Sequence, residues 1–352
     1  MAGVYISYPF CEQKCTYCNF ASGVLPDVLR GPYVDALRAE IRAAEWQWTP
    51  ETVYLGGGTP SQMDTGALVE VLREIPGRPW REATLEAAPG AITRERAEAW
   101  RHAGINRVSM GVQSFVQREL ARTGRKHTAE IVEREVAALR DAGIVNFNID
   151  LIAGLPGQTR ESWNESLAWV ERLEAPHVSV YMLEVDEDSR LGAEVLAFGE
   201  RYGAPDVPRD DAVAEFYETA VAHLRAMGVA RYEISNFARV GYESRHNLKY
   251  WLREPYLGFG ADAHSFDGEY RWANVESAAE YVAGAAPLGK TAADAVGERL
   301  FLGLRLDRGI EMPGGETIRG FVRDGLLVED GGRVRLTPRG VLLSNEVFAA
   351  FV

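Results

Sequence analysis

The chain has 352 residues, of which 46% are hydrophobic, 25% charged and 10% aromatic. This composition is typical of a folded globular protein and excludes the disordered, collagenous and fibrous classes. The formal net charge of −13 at pH 7 would repel phosphate backbones and anionic lipid headgroups, so neither nucleic acid nor a membrane surface is an expected partner.

Six short β-branched or apolar runs alternate with stretches of helical periodicity through the first two thirds of the chain. The predicted strands occupy residues 4–6, 52–55, 83–87, 107–111, 147–151 and 178–183. The predicted helices that follow them occupy residues 33–46, 66–73, 93–103, 128–141, 161–173 and 210–227. We therefore predict an α/β fold, a partial (β/α)6 TIM-like barrel over residues 1–230, with its functional site at the carboxyl ends of the parallel strands.

The strand–helix alternation stops after residue 230. Residues 231–290 form a predicted connecting segment, and residues 291–352 show a new pattern with helices at 297–306 and 316–326 and a hairpin at 327–336. This pattern predicts a C-terminal α+β extension that contains a winged-helix-like unit. Such units often bind DNA, but the acidic chain and the lack of a basic helix favour a role in covering one end of the barrel.

The three cysteines, Cys11, Cys15 and Cys18, all lie on one short segment after the first strand. No stretch approaches the ~20 apolar residues of a membrane helix and no leader precedes the first strand, so we expect a cytoplasmic protein without stable membrane insertion. In a reducing cytosol such a cluster indicates metal ligation. A [4Fe–4S] cluster can take three thiolates and leave one iron open, whereas a zinc site would need a further ligand, such as a histidine from elsewhere.

Polar residues and bare backbone follow the next strands. Residues 56–58 are three consecutive glycines just after the second strand, where a ligand can approach the backbone closely. Glu86, Gln113 and Asp150 lie at or near the ends of the third, fourth and fifth strands. One polar residue per successive strand predicts a ring around a single bound molecule, although each could instead be a satisfied polar residue of the barrel interior.

These motifs resemble the radical S-adenosylmethionine (SAM) superfamily. The resemblance rests on the Cys-x-x-x-Cys-x-x-Cys spacing, with Tyr17 before the third cysteine, and on the Gly-Gly-Gly-Thr-Pro run at residues 56–60. More narrowly, the chain resembles the group around oxygen-independent coproporphyrinogen III oxidase, in segments at residues 5–11, 56–61, 104–115, 150–159 and 336–340. The resemblance covers nearly the whole chain.

The resemblance implies that the three cysteines ligate a [4Fe–4S] cluster whose open iron takes the amino and carboxylate groups of SAM. The residues that it assigns to SAM are Tyr5, Gly57, Gly58, Thr59, Glu86, Gln113, Arg125 and Asp150. Arg125 enters this set on the resemblance alone, since by itself it would pass for a surface charge. The implied chemistry is a one-electron reduction of SAM inside a barrel that excludes water, with a reductase-type protein as electron donor.

Two features distinguish the oxidase from the haem chaperone (HemW) branch of this group. The oxidase has a fourth cysteine two residues after the third, where this chain has Phe20, and it has a long N-terminal extension. Residues 246–251, His-Asn-Leu-Lys-Tyr-Trp, resemble the His-Asn-x-x-Tyr-Trp signature of the chaperone branch. The resemblance therefore implies a protein that binds haem or a porphyrin and passes haem to an acceptor protein. The alternative is an oxidase-like radical SAM enzyme that acts on a porphyrin.

His246 is the predicted haem ligand within this signature. An imidazole is a common axial ligand of haem iron, and Tyr250 and Trp251 offer flat apolar faces for a macrocycle. A His-Asn pair could instead cap or satisfy a loop, and His264 is a second candidate ligand. Ser7 departs from the family pattern, which usually has a histidine there, so an imidazole donor near the cluster is missing.

Overall fold

The fold is built on one large open sheet. The strands of the computed structural model, which describes residues 2–352, are in chain order β1 (Ala2–Tyr8), β2 (Pro50–Gly57), β3 (Glu82–Ala87), β4 (Arg107–Gln113), β5 (Asn146–Ala153), β6 (His177–Met182), β7 (Ala230–Arg231), β8 (Asn236–Ala238), β9 (Tyr256–Phe259), β10 (His264–Phe266), β11 (Tyr270–Ala273) and β12 (Thr291–Ala292). Their spatial order is β12-β11-β10-β9-β1-β2-β3-β4-β5-β6-β8-β7. Strands β12 and β7 are the two edges, so the sheet does not close on itself.

The first six strands are parallel and lie side by side in chain order. The helices between and after them are α1 (Arg30–Ala43), α2 (Thr65–Arg73), α3 (Arg94–Ala103), α4 (Gln117–Thr123), α5 (Ala129–Asp141), α6 (Arg160–Arg172), α7 (Arg190–Leu196) and α8 (Asp210–Ala226). The six predicted strand–helix units are confirmed. Helix α1 begins three residues before the predicted start, because Pro32 is tolerated in a first turn, where its missing N–H has no acceptor.

Threonine side chains set the beginnings of several barrel helices. Thr93 and Thr128 accept the backbone N–H groups of Arg96 and Ile131, at 3.3 and 3.4 Å. Thr159 and Ser162 form a reciprocal capping box at the start of α6. Such caps satisfy N–H groups that have no partner inside the helix, so each helix starts at a defined residue beside its strand.

One face of the parallel sheet carries a buried polar layer. Asn148 on β5 donates to the hydroxyls of Ser109 on β4, at 2.7 Å, and of Ser179 on β6, at 3.0 Å. His177 Nδ1 lies 2.7 Å from Asn148 Oδ1. These bonds tie three neighbouring strands together, because buried polar groups must find partners within the protein.

The chain after residue 230 extends the same sheet at both sides. Strands β8 and β7 continue it antiparallel beyond β6, while β9 pairs parallel with β1. Helices α9 (Arg245–Trp251) and α10 (Ala278–Val282) belong to this segment. Helix α9 was not predicted, because seven residues are too few to show a helical period. The division at residues 230 and 290 stays a prediction, although the shared sheet makes residues 231–290 more than a linker.

The C-terminal part has its own small sheet. It contains α11 (Ala295–Leu304), β13 (Ile310–Glu311), α12 (Glu316–Arg323), β14 (Leu327–Asp330), β15 (Arg333–Leu336), α13 (Pro338–Leu342) and α14 (Ser344–Phe348). Strands β14 and β15 form the predicted antiparallel hairpin, and β13 pairs with β15. The winged-helix character of this unit stays a prediction. Within residues 2–352, no helix is both long enough and apolar enough to cross a bilayer.

Candidate functional site

The three cysteines lie on a loop that leaves the carboxyl end of β1 and is closed at its base. The N–H of Cys11 donates to the carbonyl of Gly23, at 2.9 Å, and the N–H of Gly23 donates to that of Pro9, at 3.0 Å. Cys11, Cys15 and Cys18 are free thiols and half-buried. The loop therefore holds all three at the end of the strands where the sequence places the site.

The glycine run after β2 is attached to the base of this loop. The N–H of Gly58 donates to the carbonyl of Tyr8, at 3.0 Å, and that of Thr59 donates to Phe10, at 2.9 Å. A Cβ atom on Gly58 would lie 2.7 Å from the carbonyl carbon of Pro9, so a larger residue would push the two segments apart. Glycine is needed here for close approach of the two backbones.

The neighbouring thiols affect the pKa of Cys18, but the three sulfurs are not arranged as a metal site. Burial raises the pKa of Cys18, and the neighbouring Cys15 and Cys11 raise it further, while a hydrogen bond from the Phe20 backbone opposes the shift. Within residues 2–352, no three His, Cys, Asp or Glu side chains are grouped closely enough to hold a metal ion. Ligation of a cluster by the three cysteines therefore stays a prediction.

A cavity of ≈130 Å³ lies beside the cysteine loop. Its walls come from β1, β2, β3, the cysteine loop and the segment after β9, through Tyr5, Ser7, Pro9, Phe20, Ala21, Ser22, Gly57, Glu86, Ala261 and Asp262. Three of the predicted SAM residues thus share one cavity, and Ser7 is in its wall. The cavity is smaller than the ~300–1,000 Å³ common for small-molecule sites.

Glu86 is one of two carboxyl side chains that line this cavity, the other being Asp262. The hydroxyl of Tyr54 donates to Oε1 of Glu86, at 2.8 Å. Burial raises the pKa of Glu86 to about 7 and the charge of Asp150 adds to the shift, while hydrogen bonds from Tyr54 and the Gly57 N–H, and the charge of Arg107, oppose it. The group therefore changes its charge close to neutral pH, as residues at ligand sites often do.

Gln113, Arg125 and Asp150 do not line the cavity but lie at the same end of the strands. Gln113 has a left-handed backbone, with φ of 71°, and its buried carboxamide oxygen has no hydrogen-bond partner. Asp150 accepts from Asn148, at 2.6 Å, and burial raises its pKa. An unpaired buried acceptor on a strained residue is a typical mark of a ligand site.

Arg125 links β4 to the cysteine loop. Its Nη1 donates to the carbonyl of Gly111, at 2.5 Å, and its Nε donates to the hydroxyl of Tyr17, at 3.2 Å. Burial by itself would lower the pKa of Arg125, but Tyr17, Cys15 and Asp150 outweigh burial and raise it. The structure therefore places a permanent cation at the site, on a residue whose sequence position alone suggested only a surface charge.

His246 lies at the opposite, amino end of the strands. Its Nδ1 is 3.0 Å from Thr52 Oγ1, its Nε2 is 2.8 Å from the Tyr250 hydroxyl, and its exposed fraction is 1%. Neither ring nitrogen is free for a metal as the structure stands, so haem ligation by His246 stays a prediction that requires both hydrogen bonds to break. His264 is exposed at the start of β10, and its role as a ligand also stays a prediction.

Tyr54, which donates a hydrogen bond to the Glu86 carboxyl, was not predicted from the sequence. The strand alternation carried the signal, because residues two apart on a strand face the same side and Tyr54 lies two before Gly56. Glu82, whose carboxylate accepts the N–H groups of Arg245 and His246, at 3.0 and 2.9 Å, was not predicted either. No local pattern pairs residues 164 positions apart.

Comparison with known proteins identifies relatives along the whole chain. The Radical SAM superfamily profile matches residues 5–170. The chain is 34% identical to "Heme chaperone HemW" of Bacillus subtilis (strain 168) over 381 aligned positions, which cover 100% of this chain and 99% of the relative. It is 35% identical to "Heme chaperone HemW" of Escherichia coli (strain K12) over 269 positions, covering 74% of this chain and 69% of that one.

The fold also matches a solved structure. Coproporphyrinogen III oxidase (HemN) from Escherichia coli superposes with a TM-score of 0.84 at 22% identity, covering 99% of this chain and 89% of that one. At this identity the match demonstrates a shared fold and not a shared activity. The predicted α/β fold is thereby confirmed.

Proposed function

Because the chain belongs to the HemW family of the radical SAM superfamily, we propose that it is a haem chaperone, which binds haem in the cytoplasm and passes it to an acceptor protein. The observation that carries the proposal is the similarity to HemW proteins from end to end, together with the His-Asn-x-x-Tyr-Trp signature at residues 246–251. The absence of a fourth cysteine, at Phe20, separates the chain from the oxidase pattern.

The proposal includes a [4Fe–4S] cluster held by Cys11, Cys15 and Cys18. The donor set fits such a group, since three thiols on one loop leave an iron without a protein ligand. Cys11, Cys15 and Cys18 would hold the cluster, which would provide one-electron reduction of the sulfonium of SAM, with a reductase-type protein as the source of the electron. Residues 20–22, which follow closely after Cys18, form part of the wall of the small cavity.

SAM would lie between the cysteine loop and the strand ends. The residues proposed to hold it are Tyr5, Gly57, Gly58, Thr59, Glu86, Gln113, Arg125 and Asp150. Ionised Glu86 offers an acceptor to an ammonium group, and the unpaired oxygen of Gln113 offers a second acceptor. Arg125 bonds to Tyr17 and to the carbonyl of Gly111, and thereby holds the cysteine loop against β4.

Two histidines are candidate haem ligands, and they differ in whether hydrogen bonds must break before the ring can bind iron. His246 must exchange its bonds to Thr52 and Tyr250 for the iron, whereas the exposed His264 needs no such rearrangement. We propose His246 as the ligand because it stands in the signature. Its buried position means that helix α9 has to shift when haem binds.

A haem titration of the anaerobically reconstituted, full-length protein tests the proposal. We expect stoichiometric uptake with a Soret band that weakens in His246→Ala and is unchanged in His102→Ala, which removes an exposed histidine of α3. If the Soret band is lost in His264→Ala instead, the haem ligand is His264 on β10. No haem uptake, or conversion of coproporphyrinogen to protoporphyrinogen with SAM and a reductant, would reject the chaperone in favour of the oxidase-like enzyme.

A further inference from the structure

We propose that His246 is a positioning residue for the cofactor pocket: from the amino end of the strands it holds Tyr54, and Tyr54 holds Glu86. The inference rests on the proposed SAM site at Glu86. It assigns the signature histidine a task in the protein before any haem is bound.

The ring of His246 is held in one orientation. Both nitrogens are engaged, by Thr52 at 3.0 Å and by Tyr250 at 2.8 Å, and the backbone N–H donates to Glu82 at 2.9 Å. A Cβ atom on Gly3 would lie 3.1 Å from Cε1 of His246, so the glycine leaves the space that the ring occupies. A side chain bonded at both ends and packed on its flank cannot turn without losing these contacts.

The His246 ring packs on Tyr54. The two ring centroids are 5.2 Å apart, with 30° between the planes. The ring of Tyr5 stacks on Tyr54 as well, at 6.2 Å and 21°. Contacts with two rings leave Tyr54 little rotational freedom, and its hydroxyl reaches Oε1 of Glu86 at 2.8 Å. The geometry of this hydrogen bond therefore depends on where His246 holds the phenol ring.

No other effect of His246 on Glu86 is expected. Burial, with the charges of Lys249 and Arg107, lowers the pKa of His246 to about 3, so the ring is neutral near neutral pH and its removal deletes no charge. The groups that act on or face Glu86 are Tyr5 on β1, Tyr54 and the Gly57 N–H on β2, Arg107 on β4, Asp150 on β5, Tyr181 on β6, Tyr250 on α9 and Asp262 after β9. Of these, Tyr54 is the one that packs on His246 and bonds to Glu86.

The consequence is a conflict between two uses of one side chain. If the imidazole moves to a haem iron, Thr52, Tyr250 and Tyr54 lose their partner, and Glu86 loses the support of Tyr54. Haem ligation by His246 and SAM binding at Glu86 would then weaken one another, and by linkage the two effects are equal in free energy.

The decisive experiment is an infrared titration of the Glu86 carboxyl in the full-length chain without cofactors, assigned by its loss in Glu86→Gln. In Tyr54→Phe we expect the midpoint to rise, because a hydrogen bond that favours the ionised form is gone. His246→Ala is expected to raise the midpoint in the same direction, and His246→Gln to restore part of the difference. His102→Ala, which removes an exposed histidine of α3, serves as the control and keeps the wild-type midpoint.

The inference is overturned if the folded His246→Ala protein keeps the wild-type midpoint of the Glu86 titration while Tyr54→Phe shifts that midpoint. If His246→Ala does not fold, Thr52→Val removes one bond of the ring and keeps the ring itself, and an unchanged midpoint there is equally decisive. SAM affinity of the reconstituted protein gives a second readout, with a loss of roughly threefold or more in His246→Ala near neutral pH. Failure of the wild type to bind SAM would reject the proposed function, while the cofactor-free titration still decides the role of His246.

Discussion

Key groups at the two ends of the same parallel strands differ in how they are satisfied, although Arg107 Nε, Asn146 Oδ1 and Trp251 Nε1 at the amino end also lack a partner. At the carboxyl end, three half-buried thiols lie on one loop and a buried oxygen of Gln113 has no hydrogen-bond partner. Burial raises the pKa of Glu86 there to about 7. At the amino end, Lys249 is 3% exposed and bonds to Glu51 and Glu254, at 2.7 and 3.0 Å. His246 has both ring nitrogens bonded there.

This difference indicates where a ligand binds and what supports it. Buried polar groups without partners cost free energy, so they persist where a ligand supplies the missing partner. Groups that are fully paired stabilise the fold and need nothing further. We therefore expect the ligand at the carboxyl end, beside Gln113 and Glu86, while the bonded side chains of Lys249 and His246 stabilise the amino end.

The largest expected effect is at the carboxyl end. Cys15→Ala removes one of three thiols, so we expect the reconstituted protein to fall from about four irons and four sulfides per chain to nearly none. Iron and sulfide analysis after anaerobic purification measures this change. Val24→Ala, in the exposed part of the same loop, is the matched control and retains the full content. A Cys15→Ala protein with wild-type iron content, or a wild type with about one zinc per chain, would contradict the cluster.

A second prediction concerns the amino end. Lys249→Met removes the buried cation that Glu51 and Glu254 share and leaves Glu51 only a longer contact to Arg81, at 3.5 Å, so we expect the free energy of unfolding to fall by about 2–4 kcal/mol. Urea denaturation measures this loss. Arg160→Met breaks an exposed pair with Glu215 and is expected to change the stability by less than about 1 kcal/mol. Equal effects in the two variants would mean that the amino end is no more tightly built than the surface.

The smallest expected effect depends on pH. Folding raises the pKa of Glu86 from its ordinary value of 4.5 to about 7, so the folded state binds this proton more tightly than the unfolded state. Stability contributed by the neutral carboxyl is therefore complete below pH 4.5 and is lost as the pH rises through 7. Glu86→Gln does not titrate, so above this window we expect the variant to be more stable than the wild type by about 1–3 kcal/mol.

Urea unfolding at a series of pH values measures the difference between Glu86→Gln and the wild type. Glu161, in the exposed first turn of α6, provides the control. Hydrogen bonds from the helix backbone and Thr159 lower its pKa, so Glu161→Gln gives a small difference of the opposite sign. A stability difference for Glu86→Gln that does not vary between acid and neutral pH would show that Glu86 is not a buried carboxyl.

The sequence predicted the barrel strands well because their signal is local. Each of the six parallel strands contains closely spaced apolar residues that the fold buries, and each is followed by a helical period. The short helix α9 and the small strands after residue 230 lacked enough residues to show a period. The cysteine loop was predictable in position, while the small cavity beside it depends on how residues 20–22 fold back.

The sequence by itself determined the order of strands and helices, the end of the strands that carries the cysteines, the glycine run and Glu86, and the family to which these motifs belong. Only the tertiary structure decided that His246 lies at the amino end of the strands, where it contacts Thr52, 194 positions away along the chain. Periodicity and motifs report each residue's neighbours along the chain. Burial and hydrogen bonding between distant residues arise only when the strands assemble, because a pairing across the fold leaves no pattern in either local segment.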